Sequence, residues 1–246
     1  NGINPASILL LTFTKKAASD MLNRVKKIVG EFGNKVEGGT FHHFASITIS
    51  KYCERININK NFAVLDDNDS IDLLQSIKES NGNEKVLSNI KVNKNLVFQI
   101  ISKARNHSKS IKEIIDLYYS NLEIDYKKLE CLNNIYSSYK QKNNLLDYDD
   151  LLEYLYKLLL IPDIRKLINE QYQYIMVDEY QDTNLIQAKI TQLLSNNDNI
   201  MVVGDDSQSI YSFRGSRIDN ILEFNKLFPK CKIIKLEKNY RSNGFI

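Results

Sequence analysis

Tyr174-Ile175-Met176-Val177-Asp178-Glu179-Tyr180-Gln181-Asp182-Thr183-Asn184 decides how this chain is read. Four residues suited to a buried strand run directly into two adjacent carboxylates. In a parallel sheet, ligands bind beyond the carboxyl ends of the strands. Two acids at that point are suited to phosphate chemistry, one to hold Mg²⁺ and the other to orient a water for attack. By residue type alone a second reading stands beside this one, in which Asp178 only caps the following turn.

Flanking segments repeat the same grammar. Residues 7–13 (Ser-Ile-Leu-Leu-Leu-Thr-Phe) form a short apolar run that predicts a buried parallel strand. Thr14 is placed to cap a helix whose apolar positions Ala18, Met21, Leu22, Val25, Ile28 and Val29 recur at helical spacing, with Gly30 at its end. A second strand is expected near Lys35–Thr40, a helix through Phe44–Tyr52, and strands at Ile200–Val203 and Lys232–Leu236. Helices are expected at about Asp149–Leu160, ended by Pro162, at Leu185–Leu194 and at Ile218–Phe228. Between about Asp66 and Asn144 the pattern is helical alone, with Ser110 and Glu113 forming a capping box. This order fits an α/β domain carrying an all-helical insertion.

Composition narrows the classes. With 246 residues, 43% of them hydrophobic, the chain is long enough to bury a core. The 26% charged content and mean hydropathy of −0.35 fit neither a membrane protein nor a disordered polymer. No apolar run approaches a membrane span, and no secretion signal is evident. Three widely spaced cysteines, Cys53, Cys131 and Cys231, form no zinc or disulfide pattern, which favours a reducing cytoplasmic setting. The net charge, 33 − 30 = +3, is too small to imply a nucleic-acid partner by itself. Local placement is more informative. Lys15 and Lys16 fall in a predicted first helical turn, against the macrodipole preference, and residues 85–112 carry seven basic side chains and no acid. Both features suit a polyanion and equally suit a solvated face.

Five segments in order carry a family pattern. They are Thr12-Phe13-Thr14-Lys15-Lys16-Ala17-Ala18, Gly39-Thr40-Phe41-His42-His43-Phe44, the Asp178–Asn184 segment, Gly204–Ser216, and Leu236-Glu237-Lys238-Asn239-Tyr240-Arg241-Ser242. Together they resemble motifs Ia, Ib, II (the Walker B box), III and the start of IV in the superfamily 1 DNA helicases of the UvrD/Rep/PcrA type. The resemblance implies an α/β fold of the RecA-like P-loop NTPase kind, a parallel sheet flanked by helices. It further implies an ATP-dependent 3′→5′ helicase that couples Mg-ATP hydrolysis to movement along single-stranded DNA and acts at single-strand/duplex junctions. By similarity, residues 1–62 and 146–236 would form domain 1A, residues 63–145 the helical subdomain 1B, and residues 237–246 the start of domain 2A.

The same resemblance distributes roles. Asp178 would bind Mg²⁺, and Glu179 would position or activate the hydrolytic water. Gln208 and Arg241 would reach the γ-phosphate, and Tyr240 would stack on adenine. Tyr211 and Phe213 would stack on single-strand bases with Phe13 as an aromatic wall, each stack worth about 1–3 kcal/mol without base preference. Thr12, Lys16, Thr40, His42 and Arg214 complete the expected DNA contacts. By residue type alone, Tyr211 and Phe213 also read as core aromatics and His42 as a structural histidine.

The chain departs from the pattern in three ways. No G-x-x-x-x-G-K-[ST] box is present, although a motor of this kind needs one. Since the first residue is Asn1, the reading is a truncated chain lacking the Walker A strand, loop and helix, and motifs V and VI also fall outside it. The isolated chain is therefore expected to neither hydrolyse ATP efficiently nor unwind DNA. Phe213 stands where relatives often carry Trp, and Lys15 where Asn is common. An ATPase-dead module that binds single-stranded DNA or acts as a scaffold, and the helicase part of a helicase–nuclease subunit, are the alternatives.

Overall fold

In a computed structural model, which describes residues 2–80, 92–195, 198–208, 216 and 218–237, four parallel strands form the central sheet. They are β1 (Ile8–Thr12), β2 (Glu37–Thr40), β5 (Tyr174–Val177) and β6 (Ile200–Val202), in the order β2-β1-β5-β6. A separate parallel pair, β3 (Ala63–Val64) with β4 (Leu145–Leu146), lies where the chain leaves for the helical region and where it returns. The α/β class is thus observed, with helices flanking a parallel sheet.

Strand alternation explains the layers. Leu9 and Leu11 of β1 enter the larger core with Ile175 and Val177 of β5. Leu10 lies instead toward α1 (Lys15–Val29), whose Leu22 borders the same space beside Gly38. Thr14 caps α1 by accepting from the Ala17 amide, as its position in the sequence suggested. The larger core is closed by α2 (Phe41–Tyr52), α7 (Tyr148–Leu160), α8 (Pro162–Gln171) and α9 (Leu185–Leu194). A second apolar core belongs to α3 (Asp67–Glu79), α4 (Lys94–His107), α5 (Ile111–Tyr118) and α6 (Tyr126–Lys142), centred on Leu74, Ile100, Ile114, Leu129 and Tyr136.

Several expectations need correction. The helix expected to end before Pro162 does end at Leu160, but a further helix that was not expected, α8, follows at once with Pro162 in its first turn, where its missing amide has no intrahelical partner to lose. The helix expected over 218–228 is two short turns, α10 (Asp219–Leu222) and α11 (Phe224–Leu227), interrupted at Glu223. The strand expected at Lys232–Leu236 is absent: no described strand pairs with it, and Ile233 and Leu236 are 69% and 88% exposed. An apolar run becomes a strand only beside a partner.

The two cores meet at an ionic cluster. Arg105 on α4 donates to Glu153 (2.6 Å), Asp147 (3.1 Å) and Asp150 (2.6 Å) at the start of α7. Lys140 of α6, 3% exposed, pairs with the same Asp147 and with Asp150. The basic run 85–112 is therefore not a uniform free face. Arg105 is absorbed by acids, Lys94 pairs with Asp72, Lys109 lies near Glu113, and Lys103 and Lys112 sit over tyrosine rings. Lys85 and Lys91 lie outside the described residues.

Candidate nucleotide and nucleic-acid site

The register of the sheet brings its carboxyl ends level. Thr12 lies beside Thr40, Leu11 beside Val177, and Val177 beside Val202. The ladder then continues past the strands: Asp178 N donates to Leu11 O (2.9 Å), Val203 N to Val177 O (2.8 Å) and Tyr180 N to Val203 O (2.9 Å). Asp178 and Glu179 are thereby fixed at the rim, half-buried.

Glu179 adopts a left-handed conformation (φ 53°), which costs a side-chain-bearing residue about 1–2 kcal/mol. The turn directs the chain into a short 3₁₀ segment, Tyr180–Asp182, whose residues are all buried. Gln181 then joins two loops. Its Nε2 donates to Glu179 Oε2 (2.8 Å), while its Oε1 accepts from the Asp205 amide (3.1 Å). Asp205 in turn accepts from Gln208 Nε2 (2.7 Å) and from the Ser207 amide (3.0 Å). Two residues singled out by sequence, Glu179 and Gln208, are thus ends of one polar chain, Glu179–Gln181–Asp205–Gln208.

Electrostatics at the rim favour a cation. Burial, with the negative charge of Glu179 adding to it, raises Asp178 above the usual carboxylate range, while the Glu179 amide and Arg24 pull the other way. Burial and then Glu179 also raise Asp182. The buried Asp182 Oδ1 has no hydrogen-bond partner. Among the described residues no group of three or more His, Cys, Asp or Glu side chains could enclose a metal. One or two hard carboxylate oxygens at an open rim fit Mg²⁺, which keeps several waters and binds phosphate oxygens alongside the protein.

The remaining expected residues divide by exposure. Lys16 projects from the first turn of α1 and is exposed; Phe13 is half-buried. Thr12 is only 1% exposed and its hydroxyl lacks a partner. The Thr40 hydroxyl is engaged as the cap of α2, accepting from the His43 amide (3.2 Å). His42 packs against the Tyr148 ring at 5.3 Å, and burial lowers its imidazole pKa to about 4. It is therefore neutral at physiological pH and offers a ring and a neutral hydrogen bond, not a charge. Tyr211, Phe213, Arg214, Tyr240 and Arg241 lie outside the described residues.

Residues that sequence reasoning passed over prove central. Gln181 and Asp205 make the polar chain, and Asn184 with Gln187 caps α9 reciprocally. The capping box was visible as Asn-x-x-Gln before an apolar run; the loop-to-loop bridge had no local signal. Gly204 leaves room for the Gln181 side chain. A Cβ there would fall 2.4 Å from Gln181 Oε1 and 2.7 Å from Ile221 Cδ1. Gly204→Ala is expected to displace Gln181, break its bond to Asp205 and cost about 1–3 kcal/mol in urea unfolding. Unchanged stability would show that Gln181 moves freely and that the bridge is dispensable.

Comparisons with known proteins give the chain a family. The family model for the UvrD/REP helicase N-terminal domain matches residues 1–229. The chain is 36% identical over 249 aligned residues to the ATP-dependent DNA helicase PcrA of Bacillus subtilis (strain 168), covering 98% of this chain and 32% of that protein. It is 35% identical over 253 aligned residues to the ATP-dependent DNA helicase PcrA of Staphylococcus aureus (strain Mu50), covering 99% of this chain and 33% of that protein. The chain therefore spans about a third of the length of the curated relatives it matches.

Proposed function

The chain belongs to the UvrD/REP helicase N-terminal domain family, and on that premise we propose that it is the first motor segment of an ATP-dependent 3′→5′ DNA helicase. The observation that carries the reading is the polar chain from Glu179 through Gln181 and Asp205 to Gln208 at the carboxyl rim of a parallel sheet. Such an arrangement lets a residue beside the hydrolytic water and a residue beside the γ-phosphate respond to each other. The polarity of movement is carried over from the family.

In this reading Asp178 holds Mg²⁺, which supplies charge neutralisation on the phosphates when bound. Glu179 orients the attacking water, with its carboxylate fixed by Gln181. Gln208 and Arg241 contact the γ-phosphate and Tyr240 stacks on adenine. Phe13, Lys16, His42, Tyr211, Phe213 and Arg214 line the track for single-stranded DNA, His42 as a neutral group, while Thr12 and Thr40, both buried, support that track and do not form its surface. Residues 1–62 and 146–236 form domain 1A, 63–145 subdomain 1B and 237–246 the start of 2A. No helix among the described residues is long and apolar enough to cross a membrane. The three free cysteines suit a reducing cytoplasm.

The test is ATP hydrolysis by the protein at its full natural length, with and without single-stranded DNA. Strong stimulation by DNA is the expected result, and no hydrolysis by the folded protein would overturn the reading. Residues 1–246 alone are expected to show no robust turnover.

A further inference from the structure

Asn106 lies on the last turn of α4, beside Arg105 of the ionic cluster. Its Nδ2 donates to Asp149 Oδ1 on α7 (3.0 Å), to Ser102 O (2.9 Å) and to Ser102 Oγ (3.1 Å). Its Oδ1 accepts from Asn184 Nδ2 (2.5 Å). The amide orientations follow from the partners. Ser102 O accepts only, as does Asp149 when ionised, so Asn106 presents its NH₂ to them and its oxygen to Asn184. Asn184 has already committed its own oxygen to the Gln187 amide (2.9 Å), which turns its NH₂ toward Asn106.

Asn184 is also where the acidic loop ends. The loop leaves the sheet at Asp178, whose amide is held by Leu11, and re-enters regular structure at the α9 cap. Asn220 braces the same end by donating to Thr183 O (2.8 Å) and Asn184 O (3.3 Å). Arg105, one residue before Asn106, ties the same turn of α4 to Asp147, Asp150 and Glu153. The amide–amide contact of Asn184 with Asn106 thereby joins the helical region to the acidic loop.

We propose that Asn106 is a positioning residue for the acidic loop: by holding Asn184 it anchors the far end of the segment 178–184 against the helical region, while the ladder holds the near end, and so it braces Glu179. The catalytic consequence rests on the function proposed above; the positioning itself does not.

The test uses Asn106→Ala and Asn184→Asp in the full-length protein. Asp equals Asn as a helix cap, so α9 keeps its start, but the carboxylate has no N–H to give Asn106. Amide exchange at Asp182 and Thr183, whose N–H groups bond Glu179 O and Tyr180 O, reads the loop directly. Both variants are expected to speed that exchange about fivefold to tenfold, the effect of one neutral hydrogen bond. The double variant is expected to add nothing further. ATP turnover should follow the same pattern in kcat, with KM little moved.

Unchanged exchange in both single variants, or additive effects in the double, would each overturn the proposal. If the unmodified protein shows no ATPase while the exchange pattern holds, the positioning role stands and the functional reading is what fails.

Discussion

Replacing Glu179 with Gln in the full-length protein is expected to lower DNA-stimulated ATP turnover by about 10²–10⁴-fold, the usual worth of a positioned general base. The substitution preserves shape. A Gln side chain still offers an oxygen to Gln181 Nε2, and the left-handed turn at 179 accommodates either residue. What is lost is the negative charge that, in the proposed role, orients and accepts from the attacking water. KM for ATP should change little, because Glu179 is not assigned to nucleotide binding, and thermal stability should stay within about 2 °C, an effect under about 1 kcal/mol for a chain of this size. Turnover within threefold of the original would remove Glu179 from the role.

Asp147→Ala is expected to weaken the fold of the chain strongly. Asp147 caps α7 through the Asp150 amide (2.8 Å), accepts from the Tyr136 hydroxyl (3.0 Å) and faces both Arg105 and Lys140. Removing it leaves Lys140 and Arg105 short of their shared counter-charge in a covered site. The cost of breaking such a pair is about 3–5 kcal/mol, measurable as a lower urea midpoint. A loss below about 1 kcal/mol would mean that Asp150 and Glu153 replace it fully.

The cluster also predicts the shape of the pH–stability curve. Burial alone would raise Asp147, but Arg105 and Lys140 overcome it and hold the pKa at about 2. A depressed native pKa stabilises above the unfolded value, so this contribution is complete above about pH 4 and is lost as pH falls toward 2. Asp149 has the opposite sign. Burial raises it to about 6, with Arg105 opposing and Asp147 adding to the rise. Its contribution is present below about pH 4 and disappears as pH rises through 6. Together they place the cluster's greatest support near pH 4, with the Asp149 share falling away between about pH 4 and 6, and Asp147→Ala should flatten the acid limb.

Much of this was written locally. The strands β1, β5 and β6 were legible because buried parallel strands are short apolar runs, and α1 because its cap and apolar stripe agree. The acidic pair was legible because it follows such a run immediately. What could not be read depended on partners distant in sequence. Arg105 looked like one more cation in a basic stretch until the fold brought acids some forty residues later around it. Lys232–Leu236 had strand composition but gained no neighbour among the described strands. Pro162 was ambiguous, since the same ring that stops one helix is well suited to start the next. Gln181 was unremarkable as a residue type and became central only when the loop after β6 came beside it.

The small β3–β4 pair has a consequence for how the chain closes on itself. Ala63–Val64 and Leu145–Leu146 lie side by side, so the helical excursion departs and returns within about one inter-strand spacing, ~4.8 Å. Once the α3–α6 core has gathered, with contacts mostly local along the chain, the two exits are already adjacent. To the central sheet, the excursion then behaves as a short turn. Each doubling of a loop adds only about 0.6 kcal/mol of closure entropy, and with the two exits adjacent the excursion adds little to the closure that the β1–β5 pairing requires. The parallel pair is in this sense a clasp that lets a long detour be carried at the topological cost of a brief one.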